Sequence, residues 1–129
     1  MLYLLVNLII SYLFLIIFTL TLHEIGHAVT AIFCHVPIKK FGLSWKGAFI
    51  VRESGTLVQN ILISFAGPIT NILLGIFLLP THNVWHLFAE MNLVLGITNL
   101  LPITGSDGDR ILTCLKTIKK ENKCPISNN

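Results

Sequence analysis

Charge is what this chain has least of. Charged residues make up 12% of its 129 positions, about half the ~25% of a soluble globular domain. Lys and Arg are absent before Lys39 and again between Arg52 and Arg110. The net charge of +3 follows the edges of apolar segments, which excludes a nucleic-acid patch. Cysteine is scarce too: Cys34, Cys114 and Cys124 are odd in number and form no CxxC pair. That excludes a disulfide framework and a thiolate metal site, and Cys34 reads as a small buried apolar residue. The first apolar run lacks a basic leader and a small-residue cleavage site, so it is expected to be a retained span rather than a signal peptide. There is no internal repeat or low-complexity stretch. The length is expected to leave no room for a soluble catalytic module, so any chemistry belongs within or beside the apolar segments.

Apolar sequence is what remains. Hydrophobic residues make up 53% of the chain, and mean hydropathy is +0.78. Three segments, 2–36, 57–79 and 84–101, read as transmembrane helices, the first well beyond the roughly 18 apolar residues that mark a span. With three spans, the 38–56 loop and the C-terminus fall on one side. They carry all the Lys and Arg, so the positive-inside rule predicts that both are cytoplasmic in a multi-pass cell-membrane protein. The first segment would be about 50 Å long against a hydrocarbon core of about 30 Å, so it must tilt, bend or project. Pro37 is expected to end it.

Within 38–56, Phe41, Leu43 and Trp45 alternate with Gly42 and Ser44, and Ala48-Phe49-Ile50-Val51 runs on toward Arg52. This predicts a hairpin or strand pair turning near Gly47, with Trp45 and the lysines at the interface; it serves either as a surface loop or in binding substrate. The second span holds Gly67, Pro68, Asn71 and Gly75. Proline bends the axis and the glycines permit close helix approach. Asn71 either hydrogen-bonds across helices or reaches a reacting centre. The third span carries Glu90, two turns from its outer end, where a neutral hydrogen-bonded role is expected; His82 and His86 read as interfacial. After Pro102, residues 103–110 predict unwound backbone. Ile111, Leu112, Leu115 and Ile118 then form an apolar stripe opposite Lys116, Lys119 and Lys120, a C-terminal interfacial helix.

His23-Glu24-Ile25-Gly26-His27 lies inside the first span. A single ionisable group at bilayer depth costs roughly 2.5–3.5 kcal/mol, so three within five residues require a purpose. On a helix, His at i and i+4 share a face, and two imidazoles beside a carboxylate are what zinc-assisted hydrolysis requires. His23 and His27 supply two metal ligands, and Glu24 fits a general base and proton shuttle. The third ligand must arrive from the cytoplasmic half. Asp107 and Asp109 qualify, Glu53 less well, and Asp107 is favoured because Gly108 permits a tight turn beside a metal.

The blocks His23-Glu24-Ile25-Gly26-His27-Ala28, Phe65-Ala66-Gly67-Pro68-Ile69-Thr70-Asn71 and Asn99-Leu100-Leu101-Pro102 leading to Asp107-Gly108 and Arg110-Ile111-Leu112 together resemble the site-2 protease family of intramembrane zinc metalloproteases. The resemblance extends from about Ser11 to Leu112 and keeps family order and spacing. It implies a three-helix core, zinc held by His23, His27 and Asp107, a catalytic Glu24, and Asn71 facing the site to orient substrate or stabilise the oxyanion. It also implies that the 38–56 strands pair with an unwound substrate. The family commonly has proline-rich residues and Leu before its Asp-Gly and a second Gly after it. Thr104-Gly105-Ser106 and Asp109 stand here instead, predicting a looser turn and a competing ligand in Asp109. The expectation is a stripped core without the extra helices and regulatory modules of many members.

The expected fold is an all-α transmembrane three-helix core, with a short β-hairpin between spans one and two and a C-terminal interfacial helix. Residues 1–121 form one metalloprotease core and 122–129 a cytoplasmic tail. The expected activity is zinc-dependent hydrolysis of a peptide bond in a membrane-embedded or membrane-associated peptide near the cytoplasmic leaflet. The alternative is a metal-binding membrane protein or assembly subunit without hydrolysis. Expected partners are the bilayer, the peptide substrate, and a second copy or a regulatory membrane protein, with no nucleic acid.

Overall fold

The computed structural model describes residues 1–44 and 47–123. Trp45, Lys46, Cys124 and the rest of the tail lie outside the described residues. In chain order the elements are α1 (Leu2–Phe33), β1 (Ile38–Ser44), β2 (Gly47–Arg52), α2 (Leu57–Leu78), α3 (Val84–Leu100) and α4 (Asp107–Lys123). α1 and α2 are long and apolar enough to cross a membrane. α3, with 17 residues, is about 26 Å long, slightly less than a hydrocarbon core of about 30 Å.

α1 stops three residues before the boundary expected from Pro37. His35 adopts the left-handed conformation (φ 55°), its N–H donates to the Ile32 carbonyl, and the Val36 N–H donates to the Ala31 carbonyl at 2.9 Å. This is a Schellman stop with histidine in the position glycine usually takes, and Pro37 follows it as prolines commonly do. The His23–His27 segment therefore lies closer to the helix end than expected, about 9–15 Å from Phe33 along the axis.

The predicted hairpin is present, antiparallel from Ile38↔Arg52 to Ser44↔Gly47, with an irregularity between Ile38 and Lys40. α2 begins with a capping box: Gln59 N–H donates to the Thr56 hydroxyl and Thr56 N–H to the Gln59 side chain. The Gln59 amide also donates to the Cys34 carbonyl at 2.9 Å, tying the start of α2 to the end of α1. Cys34 packs, partly buried, against the small cluster of Ala31, Val36 and Ile63.

α2 is the hub, packed against α1, α3 and α4. Small residues set these approaches. A Cβ on Gly26 would stand 2.9 Å from the Ala66 carbonyl, one on Gly75 2.9 Å from that of Ala89, and one on Gly96 2.8 Å from that of Pro68. Close backbone packing matters here because apolar tails surrounding a bundle supply no hydrophobic drive for helices to associate. Exposure is inverted to match. The outward positions are Leu, Ile, Phe and Val, while Thr19, His23, His27, Ser64, Asn71, Asn92 and Asp107 are buried. A contiguous apolar surface of this extent marks a membrane-facing body.

The backbone after Pro102 is irregular only as far as Ser106, because α4 starts at Asp107 itself. The loose Asp-Gly turn expected from the sequence is thus a helix start. The Ser106 hydroxyl accepts the Asp109 N–H at 3.2 Å, and the Asp109 carboxylate accepts the Gly105 N–H at 3.2 Å. Gly108 is needed for a different reason than a turn: a Cβ there would collide with the Leu100 carbonyl, so its absence lets α4 close against the end of α3.

Candidate metal centre

His23 and His27 project from the C-terminal half of α1, one turn apart, with Nε2 atoms 3.1 Å from each other. Asp107, from the first turn of α4, places Oδ2 3.0 Å from His23 Nε2 and 3.2 Å from His27 Nε2. All three side chains are less than 10% exposed. The three atoms form a triangle with edges of 3.0–3.2 Å. The ligand atoms of a tetrahedral ion with bonds of about 2.0–2.1 Å stand about 3.3–3.4 Å apart, so the triangle is nearly the right size for zinc with one position open.

The surroundings favour the same use. The Ile63 carbonyl lies 2.6 Å from His27 Nδ1. A carbonyl only accepts, so Nδ1 carries the proton and Nε2 turns a lone pair toward the triangle, the usual arrangement behind a metal-bound histidine. Pro68, inside α2, has no N–H to offer the Ser64 carbonyl one turn earlier. Gly67 completes the seat: a Cβ on it would run into His27 Nε2 and stand 2.8 Å from His23 Nε2, so only glycine lets α2 lie against both rings.

Glu24 is half-buried beside the triangle, and His23, Glu24 and His27 offer atoms all within 4.8 Å of one another. These side chains and Asp107 open onto a cavity of about 190 Å³ between α1, β2, α2 and the start of α4. The structure thus brings together four of the five residues the sequence singled out. Asn71 stands apart: it is fully buried, absent from the cavity wall, and neither amide atom has a hydrogen-bond partner among the described residues. Asn99 and Ser64 line the cavity instead, and of these Asn99 was visible in the Asn-Leu-Leu-Pro block. The remaining candidates are engaged elsewhere. Asp109 caps the turn before α4, Glu53 pairs with Lys39 at 3.2 Å, and Glu90 is exposed beside His86 at 3.4 Å.

A solved structure, the site-2 protease from Methanocaldococcus jannaschii, superposes with a TM-score of 0.73 at 28% identity, covering 84% of this chain and 55% of that one. Stage IV sporulation protein FB of Bacillus subtilis is 36% identical over 104 residues, or 73% of this chain and 36% of that protein. The chain is a site-2 protease relative. The zinc metalloprotease MJ0392 of Methanocaldococcus jannaschii is 30% identical over 118 residues, covering 83% of this chain and 35% of that protein. The chain spans about a third of the length of these two curated relatives. No family model matches it. The fold is site-2 protease-like, a helical body with a short antiparallel sheet beside the candidate centre.

Proposed function

We propose that the chain is an intramembrane zinc endopeptidase, with α1, α2 and α3 as three spans, residues 1–121 as the core, and the hairpin and α4 on the cytoplasmic side. The observation that carries this reading is the Nε2–Nε2–Oδ2 triangle of His23, His27 and Asp107 with Glu24 beside it, open to one cavity. His23, His27 and Asp107 would hold zinc, which when bound supplies a Lewis acid that polarises the scissile carbonyl and makes water nucleophilic near neutral pH. His27 is held in the correct tautomer by Ile63. Glu24 takes the proton of the attacking water and delivers it to the departing amine. The apolar outer surface keeps bulk water from the back of the site. Asn99, on the cavity wall, is better placed than Asn71 to meet the carbonyl oxygen, and Asn71 is assigned to the α2 packing interface.

The cytoplasmic assignment rests on the Lys and Arg of the 38–56 loop and of α4. A membrane-embedded or membrane-associated peptide is the substrate class because the cavity lies between an apolar bundle and a strand pair. β2 contributes Phe49, Ile50 and Arg52 to its wall, where an extended peptide finds backbone partners.

The alternative, a metal-binding membrane protein without hydrolysis, has no need of Glu24. The full chain in detergent micelles, incubated with a mixed library of quenched fluorogenic peptides, should release fluorescence in a zinc-dependent way. Glu24→Gln should bind one zinc per chain and lose cleavage by about 10²-fold or more. Undiminished cleavage by Glu24→Gln would sink the mechanism, and zinc binding without cleavage by the native chain would favour the alternative.

A further inference from the structure

Two arginines border the cavity, and the reaction has no use for either. Arg52 ends β2 and is half-buried; its Nη1 donates to the Asn60 side-chain oxygen at 2.7 Å and to the Glu53 carbonyl at 3.3 Å. Both partners are neutral acceptors, so they position the guanidinium without cancelling its charge. Arg110, one turn into α4, is 65% exposed and brings Nη1 only to 3.8 Å from Asp107 Oδ1. That oxygen belongs to a carboxylate whose other oxygen faces the two imidazoles.

Both guanidiniums also line a second groove, of about 480 Å³, between β2, the start of α2 and α4. Ile50, Arg52, Ser64 and Arg110 belong to both walls, so the two spaces adjoin and the arginines stand where they meet. Of the acids on the groove side, Glu53 is paired with Lys39, while Asp109 accepts the Gly105 N–H and has no cation within salt-bridge distance among the described residues. Burial and then the like charge of Arg110 lower the Arg52 pKa, as expected of two cations that face the same space. The Asp107 carboxylate offsets part of this repulsion and a further anion shared between the two would offset more, and planar guanidinium forks match a carboxylate better than any other side chain does.

We propose that Arg52 and Arg110 form a carboxylate clamp at the mouth of the metal cavity, so that the preferred substrate carries a carboxylate, from an acidic side chain or a free C-terminus, on the segment crossing that mouth. The clamp rests on the peptidase reading and names its substrate class. A peptide held there would run from the groove across the arginines into the cavity, with the carboxylate setting which bond lies over the centre. Arg52, anchored by Asn60, is the fixed jaw. Arg110, exposed and weakly held, is the one that adjusts.

The test uses the full chain carrying Glu24→Gln in neutral detergent micelles, with and without a zinc chelator, and fluorescein-labelled apolar peptides in matched pairs. One pair differs by Glu against Gln at a single position, the other by a free C-terminus against its amide. Anisotropy should show the carboxylate member of at least one pair binding about 10-fold more tightly, and which pair does so identifies the source. Adding Arg110→Gln should reduce that advantage to less than about 3-fold, and Arg110→Lys should restore only part of it. Arg52→Lys, which keeps the charge and a donor toward Asn60 and so preserves the fold, should lose part of the advantage because the planar fork is gone. Equal affinity within both pairs would overturn the clamp, as would an advantage that survives Arg110→Gln and Arg52→Lys together. So would loss of the preference when phosphatidylglycerol is added at one or two molecules per chain, which would assign the arginines to a lipid headgroup. Native cleavage that Glu24→Gln abolishes, with no carboxylate preference, removes the clamp and leaves the peptidase reading intact.

Discussion

From Leu2 to Phe18, α1 is exposed at every position except the half-covered Leu15. From Thr19 onward the same helix buries Thr19, His23, Gly26, His27 and Ala31. Those positions recur every three or four residues and so make one stripe. Leu2–Phe18 departs from apolar residues only at Asn7 and Ser11, whereas Thr19–Phe33 carries three threonines, two histidines, Glu24 and Gly26, so the fall in apolar content marks the half that touches protein. In a body surrounded by hydrocarbon, the inside is marked by what hydrocarbon rejects or cannot fill: a hydroxyl, two imidazoles, a glycine, an alanine. The outer half is a span and little else. The inner half is a span that has become the wall of a site.

The sharpest way to break that contrast is to fill the space on which the inner half depends. Gly67→Val puts a branched side chain where even a Cβ meets both imidazoles. We expect zinc affinity to fall by about 100-fold or more, the scale of disturbing a metal ligand's surroundings, and any cleavage to fall with it. Leu73→Val, on the same helix but 62% exposed, should leave both unchanged. Competition against a chromogenic chelator reads the affinity, and circular dichroism confirms that both variants remain helical. Equal zinc affinity in the two would mean that α2 does not lie against the histidines.

A smaller effect separates the two aspartates of α4. Asp107→Ala removes one corner of the donor triangle and should weaken zinc binding by at least 10-fold. Asp109→Ala removes the acceptor for the Gly105 N–H and should leave zinc affinity unchanged while costing about 1 kcal/mol at the helix start. Full zinc retention in Asp107→Ala would move the third ligand to Asp109.

What could be read from the sequence divides along the same line. His23, Glu24 and His27 were legible because they sit at helical spacing in a run with no other charge. The hairpin was legible from its alternation and from Gly47. Asp107 could be favoured over Asp109 but for the wrong reason. Gly108 was read as a turn residue, whereas it is helical and small so that α4 can reach the Leu100 carbonyl, a contact between segments that no local pattern encodes. Pro37 looked like the end of α1 because histidine rarely takes the left-handed position that His35 adopts. Asn71 and Asn99 are alike as letters. Only the packing of α2 against its neighbours decides that Asn71 is sealed within the bundle while Asn99 faces the cavity. The arginine pair was invisible for the same reason, since 58 positions of chain separate Arg52 from Arg110.

The smallest expected effect bears on the outer half. Leu13 is 54% exposed, and if hydrocarbon is its only neighbour, Leu13→Ala should change stability in micelles or bilayers by no more than about 0.5 kcal/mol, the range of substitutions that touch nothing. A buried leucine truncated to alanine costs about 2–5 kcal/mol. A loss of that size at Leu13, measured by denaturant titration in mixed micelles, would mean that the outer half of α1 is packed after all. Its partner would then be another copy or another membrane protein, and a dependence of the loss on protein concentration at fixed detergent would select the second copy. The bareness of the outer half is thus the most informative place to look for an interface: a lipid-facing helix has almost nothing to lose there, so any appreciable loss identifies a contact.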